Sequence, residues 1–276
     1  MKFKKQIKFI LTLFKKGIKN RMKQVGFFLE VVRFKKDLKI CPICDSRVGF
    51  NKISDFYLDK FQEHELVYSI NQFETLNIEN YKCKKCGASD RDRLISLYLK
   101  KFFKNNESKA CLLDFAPSKP LFHFVKNLNI NYRSADLYME DVDDIVDIRD
   151  MKIYEDNTFD IFICSHILEH IDKDIKAMNE LYRITKKNGV GICLVPIVLG
   201  LQDSVEHKKY LESEHLRWKY FGQDDHVRMY SKKDFVDRLK STGFKVNQYG
   251  SNYFGKTAFE LAGINKKSVL YVVEKK

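Results

Sequence analysis

The residues best suited to chemistry fall into three groups along the chain. Cys41-Pro42-Ile43-Cys44 and Cys83-Lys84-Lys85-Cys86-Gly87 are two CxxC pairs. Each such turn can present two thiolates to one ion, and four thiolates in a tetrahedron satisfy Zn²⁺. Gly87 suits the sharp turn after a knuckle, and Lys84 and Lys85 would offset thiolate charge. The pairs are farther apart than in the usual zinc ribbon, so redox or incidental cysteines are the competing reading. A closed four-cysteine set leaves no open position on the metal, which makes the expected role structural.

The second group is acidic. Cys111-Leu112-Leu113-Asp114-Phe115-Ala116-Pro117-Ser118 places a carboxylate at the end of an apolar run, followed by small residues that open a helix. A nucleoside cofactor needs close backbone approach at such a strand-to-helix turn. Twenty-two residues after Asp114, Asp136 ends the second predicted strand, where a carboxylate can accept both ribose hydroxyls. Asp147-Ile148 offers a third carboxylate and an apolar neighbour for an adenine amino group and ring face. Any one of these aspartates alone is more often a cap or a surface charge; their order and spacing carry the reading. The third group is His166, Glu169 and His170, joined later in the chain by Asp225, His226 and Arg228. These suit acid–base or loop-orienting work. One His with a Glu-His pair three and four residues on, plus His226, also suits a divalent ion. Arg228 could clamp an anionic acceptor through paired N–H groups.

The elements that must position these residues read as alternating strands and helices from Ala110 onward. Residues 110–113, 132–135, 159–164, 190–195, 244–249 and 268–273 are predicted strands, and 120–127 and 172–185 predicted helices. Such alternation implies parallel strands joined by helical crossovers. Asp172 is expected to cap the second helix, with Asn188-Gly189 as its left-handed stop.

From these residues the chain resembles the class I S-adenosylmethionine-dependent methyltransferases, particularly a branch with a Leu-Glu-His motif. The matching segments are residues 113–118, Ala135-Asp136-Leu137, Asp147-Ile148, residues 159–171 with Leu168-Glu169-His170, and Tyr182 to Gly189. The resemblance spans roughly residues 108–276. A narrower set with N-terminal CxxC pairs is also similar in its Ala-Pro first motif and in the late run Phe221-Gly222-Gln223-Asp224-Asp225-His226-Val227-Arg228-Met229-Tyr230. It implies a Rossmann-like α/β fold with a mostly parallel seven-stranded sheet and an antiparallel C-terminal strand, preceded by a small zinc-knuckle module. It implies S-adenosylmethionine as cofactor and a methyl acceptor that the sequence does not identify. It places Asp114, Ala116, Pro117, Ser118, Asp136, Leu137, Asp147, Ile148, Ser165 and His166 around the cofactor, with His166, His170, His226 and Arg228 as the catalytic candidates. Where the family usually has Asp-x-Gly-x-Gly, Ala116 and Ser118 stand in the glycine positions. Both are small, so cofactor binding is expected to survive, and a catalytically degenerate relative acting as a zinc-dependent nucleic-acid or protein binding module is the alternative.

Composition bounds the rest. At 276 residues, 44% apolar and 13% aromatic, the chain can bury one α/β core with an appended module. We divide it into a basic arm (1–39), a zinc module (40–90) and a catalytic domain (91–276). The formal charge of +13 is concentrated in residues 1–39, where 13 Lys and Arg face only Glu30 and Asp37. Apolar side chains recur there at helical spacing from Phe3 to Val25. This amphipathic pattern suits peripheral association with anionic membrane, or equally packing against the protein's own body. After residue 110 there are no basic clusters interleaved with aromatics, which counts against nucleic acid as a partner. The odd cysteine number and the CxxC pairing favour metal over disulfides and so a cytoplasmic protein, peripheral at most to the inner face of the membrane. A nicotinamide site would also use Asp136, but no GxGxxG is present, and Tyr182 and Lys186 fall at a predicted helix end.

Overall fold

A computed structural model describes residues 39–104 and 110–276. The amphipathic reading of residues 2–34 lies outside the described residues. Residues 39–276 cluster as one compact unit, so the cysteine-bearing segment and the α/β region share a body.

The chain enters through two short hairpins, β1 (Lys39–Cys41) with β2 (Ser46–Val48) and β3 (Phe50–Asn51) with β4 (Lys82–Cys83), all antiparallel. The excursion between β3 and β4 carries the helix Asp55–Glu63. The helix Asp90–Lys104 follows, its buried face made by Leu94, Ile95, Tyr98 and Leu99 at helical spacing. The main sheet then begins with β5 (Cys111–Phe115), β6 (Asn131–Asp136), β7 (Asp144–Ile145), β8 (Phe159–Ser165) and β9 (Thr185–Leu194), and closes with β10 (Lys245–Tyr249) and β11 (Leu270–Glu274). Its order is β10-β11-β9-β8-β5-β6-β7. β5 to β9 are mutually parallel, and β11 runs antiparallel to both β9 and β10. This is the expected mostly parallel sheet with one reversed C-terminal strand. Leu112, Leu113, Phe115, Ile161, Ile163, Ile192 and Val272 form its buried centre. In β9 the chain needs glycine at 191, because a Cβ there would fall 1.9 Å from the Phe162 ring.

The helix predicted over residues 172–185 runs from Asp174 to Ile184, capped at Lys173, and ends earlier than its sequence signals imply. Thr185 already pairs with Phe159 in the sheet, so its backbone is taken by β8, and its hydroxyl donates to Leu181 O at 2.6 Å. Asn188 is left-handed (φ 62°) as expected, but it lies inside β9, where the ladder with β8 shifts register between Phe159 and Ile161. Asp172 instead accepts Arg149 Nη1 at 2.6 Å.

Arg93, with 0% of its surface exposed, joins the hairpins to the sheet. Its Nε donates to Ala262 O at 2.7 Å and its Nη1 to Ala88 O at 2.7 Å and Tyr81 O at 3.1 Å, while Nη2 bonds Asn80 O and, at 3.3 Å, Gly263 O. The guanidinium also stacks 4.0 Å from the Phe50 ring. A second tie is Glu74, 2% exposed, which accepts Tyr271 Oη from β11 at 2.7 Å and Lys232 Nζ at 2.8 Å. Removing a charged donor from buried carbonyls leaves them unsatisfied. Arg93→Met should therefore lower unfolding free energy by about 3 kcal/mol or more, read by urea denaturation; a change within about 0.5 kcal/mol would mean the joint holds without it.

Candidate active site

The order of the sheet reverses between β5 and β8: from β5 the chain builds outward through β6 and β7, then crosses back to β8 and β9. Ligands of open parallel sheets bind outside the carboxyl ends of the strands at such a switch point, where adjacent loops diverge. A cavity of about 460 Å³ lies there. Its wall takes Ala116 from the end of β5, Asp136 and Leu137 from the end of β6, Asp147 and Ile148 after β7, and His166 from the end of β8. All six are among the sequence-derived cofactor positions, and they follow one another in strand order.

Two of these residues hold unusual backbone. Ala116 (φ 47°) and His166 (φ 58°) are both left-handed, a region that costs a residue with Cβ roughly 1–2 kcal/mol. Ala116 is where the family places glycine, which adopts that conformation freely. Its amide donates to Ala135 O at 2.9 Å and that of His166 to Leu194 O at 2.8 Å, so the neighbouring strands hold both turns open.

The acidic residues are differently engaged. Asp136 Oδ1 accepts the amides of Tyr138 (2.6 Å) and Met139 (2.8 Å), which fixes the carboxylate at the rim. Asp147 forms a bidentate pair with Arg149, whose hydrogen bonds hold its carboxyl below the usual range. An adenine amino group would have to share an oxygen with that pair. Asp114 lies behind the cavity and lines neither it nor the neighbouring one. Burial pushes its pKa from 3.8 to about 8, against the opposing Tyr132 hydroxyl, which donates to Oδ2 at 3.2 Å. Ser118 caps the helix Lys119–Lys126 through Leu121 N and donates to Asp92, and Ser165 closes β8 opposite Leu194. Pro117 and Ser165 likewise line neither cavity.

A second cavity of about 220 Å³ adjoins the first and shares His166 and His170 with it. One wall carries Glu169 and His226; the other takes Tyr57, Phe61, Phe73 and Tyr81 from the hairpin excursion and Arg91 from the first turn of the helix Asp90–Lys104. No motif marks those five, since aromatic residues with one arginine have no signature spacing. Desolvation lowers His166 to about 4, with the charge of Arg91 adding, and also lowers His226, so both imidazoles are neutral at pH 7.

Arg228 has a different place from the one expected. It is 4% exposed and lines neither cavity. Its Nη1 donates to Leu168 O (2.9 Å) and Ile171 O, Nη2 to Asp172 O (2.9 Å), and Nε to Glu206 (2.9 Å). It binds the carbonyls of the Leu-Glu-His turn, and an anionic acceptor would find its donors occupied.

In the knuckle, the sulfurs of Cys41, Cys44, Cys83 and Cys86 lie within 4.8 Å of one another, and Cys41 Sγ is 3.6 Å from Cys86 Sγ. Each pair ends in a left-handed residue, Asp45 (φ 49°) and Gly87 (φ 78°), which turns the chain away from the four sulfurs.

The reversed seven-stranded sheet with a rim of small and acidic residues at its switch point defines a class I methyltransferase fold. Residues 88–249 match a family model described as a methyltransferase domain, and the chain belongs to that family. It is 28% identical over 177 residues to an uncharacterised protein of Methanocaldococcus jannaschii, covering 61% of this chain and 68% of that protein. Among solved structures it aligns with an S-adenosylmethionine-dependent methyltransferase from Archaeoglobus fulgidus (13% identity, 70% of this chain, 97% of the other, TM-score 0.44). It also aligns with a putative methyltransferase from Bacillus halodurans (13% identity, 65% and 98% coverage, TM-score 0.39). Among the described residues no helix is long and apolar enough to cross a membrane.

The protonated Asp114 makes stability depend on pH. Its folded pKa lies above its unfolded value, so between about 4 and about 8 the unfolded chain gives up a proton that the folded chain keeps. The stability this group contributes is full below the unfolded value and is lost as pH rises toward the folded one. Asp114→Asn removes the effect while keeping an acceptor for Tyr132. The variant should gain on the wild type steadily from pH 4 to 8 in thermal melts; a constant difference across that range would place Asp114 ionised in the folded state.

Proposed function

We propose that the protein transfers a methyl group from S-adenosylmethionine, held in the larger cavity, to an oxygen or nitrogen acceptor held in the smaller one. The observation that carries this reading is the shared wall: two adjoining cavities meet at His166 and His170. The larger cavity falls within the size range of ordinary small-molecule sites, and its donor set fits the cofactor. Ala116 presents no side chain beyond Cβ, Asp136 presents a tethered carboxylate suited to ribose hydroxyls, and Val146 and Ile148 give apolar surface to an adenine ring. When bound, the sulfonium supplies a methyl group already activated toward displacement.

What remains for the chain's own residues is to hold an acceptor in line and keep water out. Tyr57, Phe61 and Tyr81 close the acceptor side, while Arg91 adds a positive charge there. His166, neutral and at the junction, can accept a hydrogen bond from an acceptor hydroxyl or amine, and its low pKa suits it to orienting that group.

Titration calorimetry with S-adenosylmethionine and with its demethylated product tests the reading. Wild type should bind both, and Asp136→Ala should weaken both about tenfold or more, the loss of a charge-assisted hydrogen bond. Folded protein giving no heat with either compound would overturn it.

The four thiols are read in the same way, as ligands of one structural Zn²⁺. Their tetrahedral count and closure support a site with no open position. Purified protein should carry about one zinc per chain, and Cys83→Ser should lose it together with the order of both hairpins. Metal-free wild type with unchanged thermal stability would exclude that role.

A further inference from the structure

We propose that Glu169, His170 and His226 bind one divalent transition-metal ion on the wall of the smaller cavity, separate from the four-cysteine site. Each of the three offers one ligand atom, and these atoms lie within 4.8 Å of one another, close enough to converge on an ion with modest side-chain movement.

Glu169 is the group that calls for a cation. Its side chain is 1% exposed, it sits on the cavity wall, and neither carboxylate oxygen has a hydrogen-bond partner. His166 Nδ1 approaches Oε1 to 3.1 Å without completing the bond. An ionised carboxylate left so would be severely destabilising, because nothing replaces the water it lost. Neither nearby arginine satisfies it: Arg228 is committed to Leu168, Ile171, Asp172 and Glu206, and Arg91, which lines the same cavity, makes no hydrogen bond to either oxygen. A cation between Glu169 and the imidazoles would.

Both imidazoles are oriented as metal ligands usually are. His226 Nδ1 lies 3.0 Å from Phe221 O, a carbonyl that can only accept, so Nδ1 carries the proton and Nε2 the lone pair. His170 Nδ1 lies 3.2 Å from Asp225 Oδ2, so a carboxylate stands behind this ring as well. A carbonyl or carboxylate behind each ligand ring is the outer-shell arrangement that fixes metal-binding histidines. The two rings meet edge-to-face at 4.7 Å between centroids.

Two imidazoles and one carboxylate select a first-row transition metal over Mg²⁺ or Ca²⁺, which prefer oxygen throughout. Three protein ligands also leave coordination positions open, and here they open onto the cavity. If that cavity holds the methyl acceptor, as the preceding reading has it, the acceptor class is one that offers an oxygen donor to the ion, such as a hydroxyl.

Mn²⁺ titration followed by electron paramagnetic resonance tests the site on the full chain with its cysteine site loaded, since the hard Mn²⁺ does not compete for thiolates. Wild type should bind one Mn²⁺ per chain. Glu169→Gln and His226→Ala should weaken it at least tenfold, and Asp225→Asn by a smaller factor. Glu169→Gln removes an unpartnered buried charge, so this variant should fold and melt no lower than metal-free wild type. Mn²⁺ should raise the melting temperature of wild type alone. No bound Mn²⁺, or equal binding by wild type and Glu169→Gln, overturns the proposal. Calorimetry on the same samples separates the two readings: cofactor binding without Mn²⁺ binding sinks the metal site alone. Mn²⁺ binding without cofactor binding supports the metal site and sinks only the methyl-transfer reading.

Discussion

The buried guanidinium of Arg93 sets the geometry on which the site depends. It donates to carbonyls of the hairpin segment, Asn80, Tyr81 and Ala88, and to carbonyls next to the last strand, Ala262 and Gly263. Five acceptors from two distant stretches of chain can converge on one planar donor set only if those stretches hold a fixed separation. Gly263 allows the approach: at φ 62° a Cβ there would meet the Phe50 ring at 2.5 Å. With that joint made, Tyr57, Phe61 and Tyr81 face the residues that follow β8 and β9 across the smaller cavity. The four cysteines sit at the base of the two hairpins, and the excursion between β3 and β4 walls the smaller cavity.

The opposite wall is held by a second arginine in the same manner. Arg228 gathers the carbonyls of Leu168, Ile171 and Asp172, and its neighbour Tyr230 donates to Asp174 at 2.6 Å. Arg238 adds bonds to Asp174 (2.9 Å) and Glu206 (2.7 Å). This network pins the segment bearing Asp225 and His226 to the turn bearing Glu169 and His170. Groups far apart in sequence thereby become neighbours, and the strained backbone at His166 persists because its surroundings overdetermine it.

Much of this was legible in the sequence, and the boundary is physical. Strands such as 111–115 and 159–165 announce themselves because parallel strands buried on both faces read as continuous apolar runs. Ala116 and Asp136-Leu137 were legible because they follow predicted strands, whose ends at the switch point must face the same cleft, and Asp147-Ile148 because of their place in the order and spacing of the carboxylates. The helix 90–104 went unread although Leu94, Ile95, Tyr98 and Leu99 have its period, since Asp90 to Arg93 look like a charged loop. Asp114 and Arg228 carry signals that residue type alone misassigns: whether a carboxylate reaches a ligand or lies buried beneath it, and whether an arginine meets solvent or four carbonyls, depends on contacts more than fifty residues away in Arg228's case.

The same distinction bears on why the glycine positions could change. At Ala116 the backbone is left-handed, a conformation glycine adopts freely, whereas Ser118 caps the helix Lys119–Lys126. A left-handed alanine is tolerable where its amide is fixed by Ala135 O in the adjacent strand and its Cβ faces open space in a cavity. Elsewhere the cost would have to be met by looser packing. The left-handed turn at Ala116 is thus held by the β5–β6 pairing and does not require a glycine.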